Sequence, residues 1–217
     1  MRNALLAAVV GAATLQPALA DAPGSGATAA YEKDYLVFVI DHHFSALRIT
    51  ELAAGTDRTR DAAIQNPDEG TSPTPGYGAT PAKATDERIR SLARQDNRVQ
   101  REEITKAQRF LRDWYGIQHN PVLMPEGRQM IQLLENTPAG AQFDRTFLRT
   151  FSNHHFTILA PSVHCQVQND LDHQGLRRYC ENIVVTQKNQ INDMREMLCM
   201  RFNECGFAPS GRRQEQD

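Results

Sequence analysis

The sequence predicts an all-α protein, a four-helix bundle made from two helix-hairpin units with a short linking helix. Three observations predict it. Long stretches carry apolar residues at helical spacing, one helix-pair unit occurs twice, and no alternating apolar and polar run is long enough to argue a sheet.

The first helix is expected from Tyr31 to about Ala54. Tyr35, Val39, His42, Ala46, Ile49 and Ala53 fall on one stripe, with Leu36, Ile40, His43 and Leu47 beside it, and Gly55 follows as a natural stop. Residues 56–84 hold Pro67, Pro73, Pro75 and Pro81 and read as a long loop. A second helix is expected from about Thr85 to Tyr115, with Ile89, Leu92, Ala93, Ile104, Ala107, Leu111 and Trp114 on its buried face. A short helix over 125–136 opens on Pro125, whose missing N–H is not needed in a first turn. The third long helix is predicted from Ala141 to Ala160, with Pro161 just past its end and an irregular segment over 162–172. The fourth runs from about Asp172 to Phe202.

These helices are related in pairs. YEKDYLVFVIDHH at 31–43 matches FDRTFLRTFSNHH at 143–155 at an offset of 112, so the two His-His pairs coincide. The partner helices align over 86–111 and 173–198 at an offset of 87, which pairs Gln100 with Gln187 and Ile104 with Ile191. Repeat one spans 31–117 and repeat two 143–207. The loop at 56–84 supplies the extra 25 residues that separate the two offsets. One hairpin cannot bury its apolar stripe alone. Packing two against each other buries both and brings the His pairs in or near one core.

The ends and the composition bound the setting. Residues 1–20 carry Arg2, a short apolar run and Ala18-Leu19-Ala20, the layout of a secretory signal peptide. A flexible leader over 21–30 and a disordered tail over 208–217 are expected. No later stretch reads as a membrane span, so a soluble secreted or periplasmic protein is expected. The net charge of −2 lacks the basic surplus of a nucleic-acid binder. All four cysteines lie in the last third, and an oxidising compartment permits them to pair. With the third and fourth helices antiparallel, Cys165 and Cys180 fall near one end and Cys199 and Cys205 near the other, which predicts those two disulfides.

The chemistry rests on the histidines. Neighbours on a helix point about 100° apart, so His42 and His43 cannot both face straight inward. One reading is metal ligation by His42, His43, His154 and His155, with Gln100 and Gln187 holding the rings' second nitrogens. The other is buried histidines hydrogen-bonded to those glutamines. Met194, Met197 and Met200 recur every third residue and read as core packing, with Met194 kept as a candidate ligand. His119 and His164 are expected at the surface, and His173 near a helix N-terminus. Without Glu-x-x-His or a nucleophile motif, the chain reads as a non-enzyme.

The order of residues around each His pair, followed by the L-x-x-L-A-x-x-I-x-x-x-Q-x-x-E-I pattern on the partner helix, resembles domain-of-unknown-function family 305. The resemblance covers roughly 31–207 and extends to the linking piece with Met124 and Met130. It implies a ferritin-like fold, frequent tandem repeats and export, and copper binding through His and Met in some members. Several of the family's Met positions differ here: Val39 and Phe151 before the His pairs, Ile49 and Pro161 after them, and Ala107 on the first partner helix. Met194 and Glu103 are kept, and Gln190 stands where the second repeat would carry Glu. The expected function is transition-metal binding, copper first, without turnover. The alternative is a structural or protein-interaction bundle, homo-oligomeric or bound to another protein, that has lost the family's metal site.

Overall fold

The computed structural model describes residues 26, 28–56, 71 and 73–206. The signal peptide, most of the leader, residues 57–70 and 72 of the long loop, and the tail lie outside the described residues. Among those described the chain is all-helical, with α1 (Ala29–Ala54), α2 (Glu87–Tyr115), α3 (Pro125–Asn136), α4 (Ala141–Val167) and α5 (Gln174–Phe202). An isolated bridge between Thr56 and Thr71 accompanies them. No described helix is long and apolar enough to cross a membrane.

The helix ends follow local chemistry. The Asp86 side chain accepts from Arg88 N–H and caps α2, a contact worth about 1 kcal/mol. Gly116 ends α2 in the left-handed region at φ 67°, and Asn203 does the same for α5 at φ 55°. Pro125 occupies the first turn of α3 as expected. Gly55 is required at φ 81°, because a Cβ there would meet the backbone nitrogen of Ala82 at 2.8 Å. That close approach lets the segment before α2 run back along the end of α1, with Lys83 and Ala84 N–H donating to Leu52 and Ala53 carbonyls.

One boundary differs from expectation. Pro161 lies inside α4, which continues to Val167. Proline removes a single ladder hydrogen bond. Tertiary contacts hold the extra turns: Ser162 Oγ and Tyr35 OH are 2.9 Å apart, and Cys165 is bonded to Cys180 of α5. Both Ser162 and Cys165 are wholly buried.

Helix α1 packs against α2, α3 and α4, so it is buried on almost every side. Helix α4 packs on α5 along its length, and α3 lies across α1 and α4. Helix α2 buries one stripe, Ile89, Ala93, Gln100, Ile104, Ala107, Leu111 and Trp114, and offers helix-favouring Arg, Glu and Gln to solvent.

The core divides into two apolar layers. One gathers Leu36, Ile40, Leu111, Trp114, Ile158, Leu176 and Tyr179. The other gathers Ile49, Ile89, Phe143, Phe147, Phe151, Met194 and Leu198. On all four long helices the residues between the layers are polar and buried: His42 and His43 on α1, Asp96, Asn97 and Gln100 on α2, His154 and His155 on α4, Gln187 and Gln190 on α5. A buried polar layer costs stability wherever its groups lack partners.

Candidate functional site

The four histidines of the sequence motif meet in that polar layer. The His42 and His154 rings lie 4.0 Å apart, centre to centre, across the α1–α4 contact. Thr157 donates its hydroxyl hydrogen to the His154 carbonyl (2.7 Å), so Nε2–H of His42 donates to Thr157 Oγ (3.0 Å). His42 Nδ1 therefore carries a lone pair and accepts from Nδ1–H of His43 at 3.3 Å. His43 Nε2 in turn lies 2.8 Å from a Glu103 oxygen, off the line of a hydrogen bond.

His155 is held differently. Its Nδ1–H donates to the Phe151 carbonyl at 2.9 Å, and its Nε2 is 2.9 Å from the amide of Gln190, which reaches on to Asp96. Burial pushes His155 down to about 3 and raises Asp96 well above the usual carboxylate range, helped by Glu103 and Asp193 nearby. Both groups are therefore neutral. The orientation of the Gln190 amide that suits two neutral partners has Asp96 donating to its oxygen and its N–H donating to His155.

His154 has one nitrogen to spare. Its Nε2–H donates to the His42 carbonyl at 3.1 Å, with Ser45 Oγ equally close. Burial, reinforced by His155 and His43, keeps its proton affinity well below the ordinary histidine value. The ring is then neutral and its Nδ1 bears a lone pair. That atom is buried and has no hydrogen-bond partner in the protein.

His42 and His154 line a cavity of about 630 Å3 between α1, α3 and α4. Its other walls include Phe38, Leu133 and two thioethers, Met124 and Met130. Asn153, whose buried Oδ1 also lacks a partner, lines it too. Imidazole nitrogen and thioether sulfur form the donor set that suits soft transition metals such as copper(I). Among the described residues no three His, Cys, Asp or Glu side chains converge to hold a metal ion.

The remaining sequence candidates are distributed as follows. Gln100 and Gln187 are wholly buried, yet their amides have no hydrogen-bond partner, and Gln190, one turn on, is the residue that reaches a histidine. Met194 is wholly buried in the second apolar layer. Cys165 is bonded to Cys180 and Cys199 to Cys205, and no described cysteine is free. His164 is exposed. His119 is partly buried against Asp41 at 2.8 Å, a correction to its expected place on the surface. His173, immediately before α5, is buried with its Nδ1 2.7 Å from Glu32. Ser45, Thr157 and Asp96 are not singled out by the sequence, since nothing local distinguishes them from other polar positions on their helices, whereas Gln190 stands out there only as the counterpart of Glu103.

The chain is all-helical and brings histidines from two helices together in its core, beside a methionine-lined cavity. Residues 78–198, more than half of the chain, match the family described as Domain of unknown function (DUF305), and the protein belongs to that family. His154 and His155 fall within the matched stretch, while His42 and His43 precede it. No curated protein and no solved structure matches the chain.

Proposed function

We propose that this protein binds a soft transition-metal ion, copper first, in the cavity between α1, α3 and α4, without turnover. The observation that carries the reading is the unpartnered Nδ1 lone pair of His154 on a residue that lines the same cavity as Met124 and Met130. His42, whose nitrogens are both bonded, joins the set only by giving up the bond its Nδ1 accepts from His43. His155 is hydrogen-bonded at both nitrogens and His43 lies between His42 and Glu103, so these two position the layer behind it. Met194 lies in the second apolar layer and is left out of the set. In this reading the fold is a ferritin-like four-helix bundle of two hairpin repeats. The equivalence of His43–Glu103 and His155–Gln190 under the repeat offsets supports it. The signal-like residues 1–20 and the two cysteine pairs support export to the periplasm or beyond.

A second reading is a structural or protein-binding helical bundle whose histidines serve only as core contacts. The partners that His42, His43 and His155 already have favour it.

Copper(I) titration in competition with a colorimetric chelator separates the two. The wild type is expected to withdraw one equivalent of copper. His154→Ala and the pair Met124→Leu/Met130→Leu are each expected to weaken binding at least tenfold. Failure to compete, or equal binding by these variants, leaves the structural reading.

A further inference from the structure

A second groove, independent of the histidine layer, lies where the C-terminal half of α2 meets the first turns of α5. It encloses about 440 Å3, within the range of small-molecule sites. Lys106, Arg109 and Arg178 line it together with Phe110 and Trp114. Among the described residues none of the three cations has a carboxylate within ion-pair distance. The one acidic side chain in the lining, Asp113, is paired with Arg112 at 2.9 Å. Three unpaired cations on one groove do not follow from composition, because the whole chain is slightly acidic, with a net charge of −2.

The groove also has an aromatic wall, formed by the part-exposed Phe110 and the edge of Trp114. Phe110 stacks on Trp114 at 4.0 Å and 11°, and Trp114 stacks on His173 at 4.1 Å and 7°. The stack is anchored beneath, since His173 is held by Glu32. Lys106 sits over Phe110 and Tyr179, 5.8 and 5.5 Å from their ring centres, and is drawn to the groove by their faces.

We propose that this groove binds a small planar aromatic anion carrying at least two negative charges. The ring system lies against Phe110 and the edge of Trp114, and the acidic groups meet Lys106, Arg109 and Arg178. Charge complementarity selects the anion, and the anchored stack selects a flat body over a compact inorganic ion.

Trp114 is the only tryptophan in the chain, so its fluorescence reports on this groove. The probe is a naphthalene disulfonate, titrated into the protein and followed by Trp114 emission and by calorimetry. A saturable change with Kd below about 1 mM is expected. Arg109→Gln/Arg178→Gln, two exposed positions, is expected to weaken binding at least tenfold, and added salt to weaken it in the wild type. Neutral naphthol and sodium sulfate should each bind at least tenfold more weakly. The proposal is overturned if the disulfonate does not saturate, if the double variant binds it equally, or if naphthol or sulfate alone matches it.

Discussion

Gly127 of α3 rests directly on Ser45 of α1: a Cβ at Gly127 would lie 2.5 Å from the Ser45 Cβ. The contact sets how close α3 comes to the histidine layer, because Ser45 Oγ also lies 3.1 Å from His154 Nε2. Gly127→Ala must therefore push α3 outward. We expect a loss of about 1–3 kcal/mol in urea unfolding and weaker copper binding. Ser45→Gly in the same chain should restore part of the stability. If Gly127→Ala alone is neutral, α3 is not seated on α1 as tightly as this contact requires.

Glu51 provides a test by pH. Its carboxyl is buried at the end of α1, where Thr74 donates to it and Arg101 lies 3.5 Å away. Burial lifts its pKa from 4.5 to about 7, against the opposing effect of Thr74 and the two arginines Arg101 and Arg48. The folded chain thus holds this proton more tightly than the unfolded chain. The contribution is complete below about pH 4.5 and is lost as pH rises through about 7. Glu51→Gln should gain stability on the wild type between pH 5 and 8.5. Parallel urea-midpoint profiles for the two proteins would contradict this.

The Cys165–Cys180 bond closes 15 residues between α4 and α5. A loop of that length corresponds to about 3 kcal/mol in the chain-entropy account. Cys165→Ala/Cys180→Ala should lower the Tm accordingly. It should also loosen the end of α4 beyond Pro161, visible as lost helical signal by circular dichroism.

Pro161 costs α4 one hydrogen bond without ending it. Pro161→Ala restores a donor to the Thr157 carbonyl and gives up some rigidity in the unfolded chain. The balance favours the variant, with stability raised by about 1 kcal/mol or more and Tm by ~2–4 °C. A lower Tm would mean that the ring's packing beside Phe38 and the α1–α4 cavity outweighs the missing bond.

Helix content was legible because periodicity and punctuation agreed. Gly55, Gly116 and Pro125 stood where α1, α2 and α3 end or begin, and the apolar stripes became the two core layers. Pro161 misled because a proline is a local signal, whereas α4 is continued by Ser162 and Cys165, whose partners lie 127 and 15 residues away. The histidine pairs were legible as a meeting of two repeats. Their partners were less so, since Gln187 and Gln190 share one face of α5 and spacing alone does not tell which turn reaches His155. The cavity depends on how α3 lies across α1 and α4, which no local pattern encodes, so Met124 and Met130 gained chemical meaning only from the three-dimensional arrangement.

Both covalent cross-links fall in the second half of the molecule. One ties α4 to α5, and the other fastens the end of α5 to the residues just after it. The α1–α2 pair has no covalent cross-link and is held by packing, hydrogen bonds and contacts such as Glu51–Arg101. Under native conditions the two halves should therefore breathe at different rates. Amide hydrogens of α1 and α2 should exchange with solvent through openings that leave α4 and α5 closed. Because α1 carries His42 while α4 carries His154, each such opening would part the two imidazoles. A ligand that spans them would slow exchange most in the half that has no cross-link of its own.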